Sequence, residues 1–341
     1  MSAQHIAFSA IRNPCSGDGV FIFRASPDDH NLSCELRAIH DGVSAPPSKK
    51  NSIVQSPTLQ GNSNLVTLMF DNMVHTYGVR AEDNLVSLLS PVVEQLNPEA
   101  KCEEGKLAGV AFTESYEEQA WLAYETKDGL VPVPSSPLLR TVTDVFDTCR
   151  EADNAKPKLM YCDVITPEIE GTASKAKDIL EGTSLGLFHD TQRCWVVYQN
   201  KSGQLVAYNE KDQKPSVISV DSSQFSNATP VASCFIPVKD IDKAQVTCFR
   251  SDAMGRVIIY WVRTSDGQPY LYRSHADLTD KSSSADFSEP RNATEIRISV
   301  EPLGQISVVP NPETQSNYLF VTKLGGDNVS SVTDYWATKN V

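Results

Sequence analysis

Apolar and polar residues alternate along this chain in short runs, and the runs come in sets of three. In "LFHDTQRCWVVYQNKSGQLVAY" (187–208) an apolar run precedes a polar loop. A second run, Trp195–Gln199, is rich in aromatic and β-branched side chains. The turn Asn-Lys-Ser-Gly and a third run, "QLVAY", complete the unit. Runs of this length bounded by turn residues predict antiparallel strands joined as hairpins. The same plan recurs in "AFTESYEEQAWLAYETKDGLVPV" (111–133), which aligns Trp121 and Tyr124 with Trp195 and Tyr198. Four further segments follow it: 7–36, 65–89, 232–261 and 307–336.

The six segments begin near residues 6, 65, 107, 184, 231 and 306, an average spacing in the range of propeller blades. A sheet of three or four strands cannot bury both faces alone, whereas radial stacking around an axis buries them and leaves only short edges. The predicted fold is therefore all-β, a single β-propeller of six blades spanning 1–341. Two β-sandwiches are the competing arrangement. The longest interruption, about 137–182, reads as an insertion. Within it Ala173, Ala176, Ile179 and Leu180 predict a short helix between Pro167 and Gly182.

Charge narrows the function. Thirty Lys and Arg against 43 Asp and Glu give a net charge of −13, which argues against nucleic acid as a partner and against electrostatic binding to an anionic membrane. No run of eighteen apolar residues predicts a membrane span, and "MSAQHIAFSAIRN" carries no visible signal peptide. The eight cysteines form no C-x-x-C pair, a pattern that fits disulfides better than zinc. Cys15 with Cys34 and Cys149 with Cys162 would close short loops, and at least two bridges are expected. Eight reduced thiols are the alternative. Five N-x-S/T sequons, at Asn31, Asn200, Asn227, Asn292 and Asn328, are candidate glycosylation sites. Together these features predict passage through the secretory pathway or an extracellular location.

Motifs for nucleophilic, zinc or phosphate chemistry are missing. The histidines His5, His30, His40, His75, His189 and His275 are scattered without metal-ligand spacing. Neither a metal nor a cofactor is expected.

The plan of strand, V-x-Y-Q, Gly-containing turn and L-x-x-Y resembles that of fungal fucose-specific lectins, which are six-bladed propellers. The resemblance implies sugar held between blades by an Arg three positions before the blade's Tyr and a Glu two positions after the hairpin's Leu. Here the Arg position holds Trp121, Trp195 and Val246, and the Glu position holds Pro132, Ala207 and Ile259. The scaffold is kept and the sugar ligands are replaced. Directly after the repeated aromatic or apolar position stand Arg24, Arg80, Glu125, Gln199, Arg250 and Lys323. Pointing inward they would line a polar funnel; pointing outward they would be solvated.

In size, sequons, cysteines and β-rich repeats the chain is also similar in type to proteins of fungal tropolone-sesquiterpenoid pathways. Those proteins catalyse hetero-Diels–Alder cycloaddition without cofactors. That resemblance implies a pericyclase joining a polyketide-derived quinone methide to a terpene alkene, its small-molecule substrates. Trp121, Trp195, Trp261 and Trp336 would form apolar walls, with Tyr124, Tyr198, Gln199, Arg24 and Arg80 beside them. Arg250 or His189 would donate a hydrogen bond to the carbonyl oxygen. A fucose-type lectin and a protein-interaction propeller are the alternatives.

Overall fold

The computed structural model describes residues 6–15, 19–25, 32–40, 43–44, 49–52, 57–61, 63–96, 101–102, 104–114, 117–126, 158–163, 170–172, 178–209, 215–219, 228–241, 249–280, 284–293, 298–326 and 328–336. They form six antiparallel sheets. Blade 1 comprises β1 (Ala7–Arg12), β2 (Gly19–Ala25) and β3 (Leu32–His40), with β4 (Val43–Ser44) and β5 (Lys49–Ser52) both paired to β3. Blade 2 is β6 (Val66–Phe70), β7 (Met73–Val79), β8 (Val86–Ser90) and β9 (Glu94–Gln95). Blade 3 is β10 (Leu107–Glu114), β11 (Glu117–Thr126), β12 (Lys158–Asp163) and β13 (Glu170–Thr172). Blade 4 is β14 (Gly186–His189), β15 (Cys194–Gln199), β16 (Leu205–Asn209) and β17 (Pro215–Ser219). Blade 5 is β18 (Val231–Pro237), β19 (Gly255–Ser265), β20 (Gln268–Leu278) and β21 (Arg291–Asn292). Blade 6 has three strands among the described residues: β22 (Ile306–Asn311), β23 (Ser316–Thr322) and β24 (Val329–Tyr335). The molecule is a six-bladed propeller.

The first strand of each blade touches the first strand of the next, and β22 of blade 6 returns to β1 of blade 1. Hydroxyls and amides stitch this inner ring. Ser307 Oγ accepts from the Ala10 N–H at 2.9 Å, and Ser9 Oγ accepts from the Thr67 N–H at 3.0 Å. Gln305 joins three blades at once. Its Oε1 accepts from the N–H groups of Phe8 (3.0 Å) and Leu65 (3.2 Å), and its Nε2 donates to the Leu65 carbonyl at 2.6 Å. Arg37 of β3 adds a bond across the closure, Nη1 donating to the Val329 carbonyl at 2.9 Å. Small residues let the inner strands approach. A β-carbon at Gly109 would stand 2.5 Å from Val66 Cγ1 on the neighbouring blade and 2.8 Å from Leu122 Cδ2.

The segments leading into blades 2, 4 and 6 share one latch. The N–H groups of Gln60, Leu180 and Glu301 each donate at 2.9 Å to the last carbonyl of the blade's own second strand, on Val79, Gln199 and Thr322. In blades 2 and 4 a hydroxyl reinforces it: Ser63 Oγ accepts from Val79 N at 2.9 Å and Thr183 Oγ1 from Gln199 N at 2.8 Å. The latch explains why a small polar stretch precedes each of these apolar strands. Backbone groups between blades would otherwise be buried without partners.

Four expectations are corrected. Segment 137–182 is not one insertion, because β12 and β13 supply the outer half of blade 3. The expected third strand there, 129–133, lies outside the described residues, as do Ala173 and Ala176 of the expected helix. Glu170–Thr172 is a strand, Ile179 bridges to Asn200, and Gly182 turns the chain into blade 4 with φ +74°. At Ile179 itself, burial and the bridge to Asn200 take the place of a helical turn. In blade 5 the second strand is β19, not the segment ending at Arg250. The Cys15–Cys34 bridge is not formed: Cys34 lies in β3, where burial pushes its thiol up to about 11, and Cys15 sits in an exposed turn. Cys15, Cys34, Cys102, Cys194 and Cys234 form no disulfide, and the side chains of Cys149, Cys162 and Cys248 are not among the described ones. No helix among them is long and apolar enough to cross a membrane.

Gly109→Val should cost about 2 kcal/mol or more, because Val66 and Leu122 have nowhere to retreat; urea unfolding measures it. Gln305→Ala strands three backbone groups, two N–H donors and one carbonyl. It should lower stability by about 1–3 kcal/mol, with unchanged far-UV circular dichroism.

Candidate functional site

The expected apolar walls belong to the core. Trp195 and Trp261 are 0% exposed and Trp336 is 3% exposed. The Trp195 indole Nε1 donates to Asp190 Oδ2 at 2.8 Å, and its ring lies parallel to Phe188. Asp190 is itself held by Arg193 Nε at 2.9 Å, and Arg193 Nη2 reaches the Thr279 carbonyl of blade 5 at 3.1 Å. Trp336 meets Phe249 edge-on within the cluster between blades 5 and 6. Trp121 is half-buried against the cluster that holds Tyr198. Tyr124, Tyr198 and Gln199 are buried. Trp195 and Trp261 stand on middle strands covered on both faces by neighbouring blades, so they have no open side.

The two expected donors lie apart in setting. His189 ends the inner strand of blade 4, and its ring stacks on Phe112 of blade 3 at 3.7 Å and 5°. Its Nδ1 accepts from the Thr191 N–H at 3.1 Å, which leaves the proton on Nε2. Burial pulls its pKa down to about 4, against the opposing pull of Asp190. Arg250 lies on an exposed loop, paired with Asp252 at 3.0 Å.

The six long polar residues do not form a funnel. Arg80 and Lys323 bridge to Leu59 and Val300 as Asn200 bridges to Ile179, so they match Asn200 and not Gln199. Glu125 is buried, its two oxygens accepting from Gly182 N at 3.1 and 3.2 Å. Arg24 stands 3.9 Å from Glu35. Apart from Arg250, these positions lie at the ends of the blades' second strands, one strand outward from the axis.

Of the sequons, Asn328 is exposed, whereas Asn200 Nδ2 donates to Gln204 Oε1 at 3.0 Å within its hairpin turn. Asn292 pairs with Tyr272 in β21. Asn31, Asn227, Val246 and Pro132 lie outside the described residues. No group of three or more His, Cys, Asp or Glu among the described residues could hold a metal ion.

One expected residue, Arg80, lines a cavity. A half-open cleft of about 360 Å³ lies between the segment leading into blade 2 and that blade's second hairpin, lined by Pro57, Thr58, Arg80, Ala81 and Glu82. The Ala81 N–H donates to the Thr58 carbonyl at 2.8 Å, which joins the two walls. Arg80 Nη2 lies 2.9 Å from Asp83 Oδ2 and 3.4 Å from Glu82 Oε2. A guanidinium fork, a carboxylate and a hydroxyl beside Pro57 and Ala81 can exchange hydrogen bonds with a polyhydroxylated ligand while contacting its C–H surface. Thr58 and Glu82 were not singled out in the sequence. The signal available was the run Arg-Ala-Glu-Asp at a hairpin turn.

No protein-family model and no curated protein sequence matches the chain. Solved structures do match in shape. AofleA from Arthrobotrys oligospora superposes with a TM-score of 0.63 at 12% identity, over 98% of this chain and 84% of that one. The lectin of Aleuria aurantia, as its N224Q mutant in complex with α-methyl-L-fucoside, gives 0.60 at 13% identity, over 99% and 97%. SapL1 lectin in complex with α-methyl fucoside gives 0.62 at 10% identity, over 97% and 93%. The chain is folded as these proteins are. The propeller and its lectin-like plan, read from the repeated hairpin, are thereby shown at the level of fold.

Buried histidines set an acid limit on this fold. His189 and His275 are each held near pH 4 by burial, below the ordinary 6.5. Between those values the unfolded chain binds more protons than the native one. The stability linked to each is therefore full above pH 6.5 and is lost as the pH falls towards 4. Asp334, raised by burial, acts in the opposite sense, so the comparison is with a variant. His189→Phe, which keeps a ring on Phe112, should lose less Tm than the parent between pH 7 and pH 4.5.

Proposed function

We propose that this protein is a glycan-binding propeller of the lectin type. The observation that carries the reading is the cleft at Arg80, with Thr58 and Glu82 at its wall, on a scaffold shaped like lectins solved with methyl fucosides over nearly their whole length. The cycloaddition reading is less well supported, because Trp195, Trp261 and Trp336 are core residues and cannot wall a substrate cavity.

The ligand is not taken up in the manner the fucose resemblance implies. Trp195, Ala207 and Ile259, at positions where that pattern places Arg and Glu, are all 0% exposed. Room and hydrogen-bonding groups are both missing there. The Arg80 cleft supplies them at a different place, at the turn end of a blade. Arginine donates from a planar fork to adjacent hydroxyl oxygens, and the carboxylate oxygens of Glu82 accept hydrogen bonds from the hydroxyls.

A glycan array tests this. The parent should bind a defined set of glycans with weak response to α-L-fucosides, and Arg80→Ala should abolish that binding while leaving the fold intact. A blank array for the parent, together with acceleration of cycloaddition between a tropolone quinone methide and a humulene-type terpene, would replace this reading with the pericyclase.

A further inference from the structure

The turn beside the Arg80 cleft has equivalents in two other blades. The N–H groups of Ala81, Lys201 and Leu324 donate to the carbonyls of Thr58, Asp178 and Ser299, so one backbone pattern closes the turn in blades 2, 4 and 6. Arg80, Asn200 and Lys323 each precede those donors and bridge to the segment leading into the blade. Two positions beyond them stand Glu82, Ser202 and Gly325. A serine and a glycine serve the same turn, so the fold does not require a carboxylate at Glu82.

The charges at the cleft do not cancel. Arg80 carries one positive charge, and Asp83 answers it, with Oδ2 at 2.9 Å from Nη2. The turn holds Asp83 in place, since its Oδ1 accepts from the Leu85 N–H at 3.2 Å. Glu82 approaches the same Nη2 only at 3.4 Å, and its side chain is 84% exposed. Among the described residues that is the one polar contact its carboxylate makes. Pro57, Thr58 and Ala81, the other walls, bear no charge, and Lys101, which bridges to Leu85, is not among the walls. One guanidinium against two carboxylates leaves the cleft net negative. Glu82 is the surplus carboxylate, and it stands at the wall.

We propose that the cleft selects sugars that carry a free amino group, with Glu82 receiving the ammonium and Arg80 and Thr58 the neighbouring hydroxyls. An ammonium has donors and no acceptor, so it is matched by a carboxylate and by the Thr58 hydroxyl oxygen, and by nothing on Arg80. Acetylation of the amine removes the charge that Glu82 attracts. A uronate would meet a guanidinium already offset by Asp83, and would be repelled by Glu82. This inference rests on the glycan reading of the cleft and narrows its ligand to the amino sugars.

NMR titration with glucosamine, N-acetylglucosamine and glucuronate at low, matched ionic strength, followed at the amides of Ala81 and Glu82, tests the selection. Glucosamine should bind about three- to fivefold more tightly than N-acetylglucosamine, the scale of one exposed ion pair, and glucuronate should bind most weakly. Added salt should shrink the difference. Glu82→Gln, which keeps an acceptor oxygen and loses the charge, should bring glucosamine and N-acetylglucosamine to equal affinity, and Arg80→Ala should remove both. Equal affinities in the parent, or a preference that survives in Glu82→Gln, would overturn the amine selection. The glycan reading would then still stand if Arg80→Ala removes binding. Absence of binding by all three sugars would also overturn the selection, and a blank glycan array for the parent would take the glycan reading with it.

Discussion

Contact between the first strands of neighbouring blades is the constraint on which the rest of this molecule depends. Each sheet presents two apolar faces, and only a closed ring covers all of them. Closure brings backbones so near that side chains on the inner strands must be small or must bond across the gap. Gly109 answers the first demand, with Val66 and Leu122 packed into the space a β-carbon would need. Ser9, Ser307 and Gln305 answer the second, each giving an oxygen to the backbone of the following blade. The first and last blades are joined by the same devices as the others, with Arg37 added from the third strand.

The same closure decides which polar residues remain for function. Wherever two blades meet away from the axis, charge must be paired because it is no longer hydrated. Arg193 with Asp190, Arg37 with Glu35 and Arg273 with Asp334 are such pairs, all buried. They are structural, and breaking one leaves its partner charged and dry. Open, hydrated polar groups are left at the turn ends of the blades, as at Arg80.

This division accounts for how a lectin-like scaffold can lack the lectin's sugar residues. Blade packing asks only for apolar volume on the middle strands, which Trp195, Ala207 and Ile259 provide. Their side chains fill the space in which the resemblance places an arginine and a glutamate. Loops and turns bear less of the packing load and tolerate new residues.

Periodicity alone was enough to locate the blades. First strands were expected near residues 6, 65, 107, 184, 231 and 306, and they begin at Ala7, Val66, Leu107, Gly186, Val231 and Ile306. A strand buried on both faces writes its presence in a few consecutive apolar residues, so local pattern suffices. The outer half of blade 3 was not legible, because β12 and β13 are separated from β11 by a long connection and pair through the backbone, which carries no residue code. Side-chain direction was not legible either. Trp121, Trp195, Trp261 and Trp336 could be read as pocket walls or as core, and only the neighbouring blade made three of them core. The arginines of blade 5 lie up to 35 residues apart in the chain, from Arg256 to Arg291. What sets Arg256 and Arg291 on one side of the sheet is strand register, a property of the folded sheet and of no single stretch of sequence.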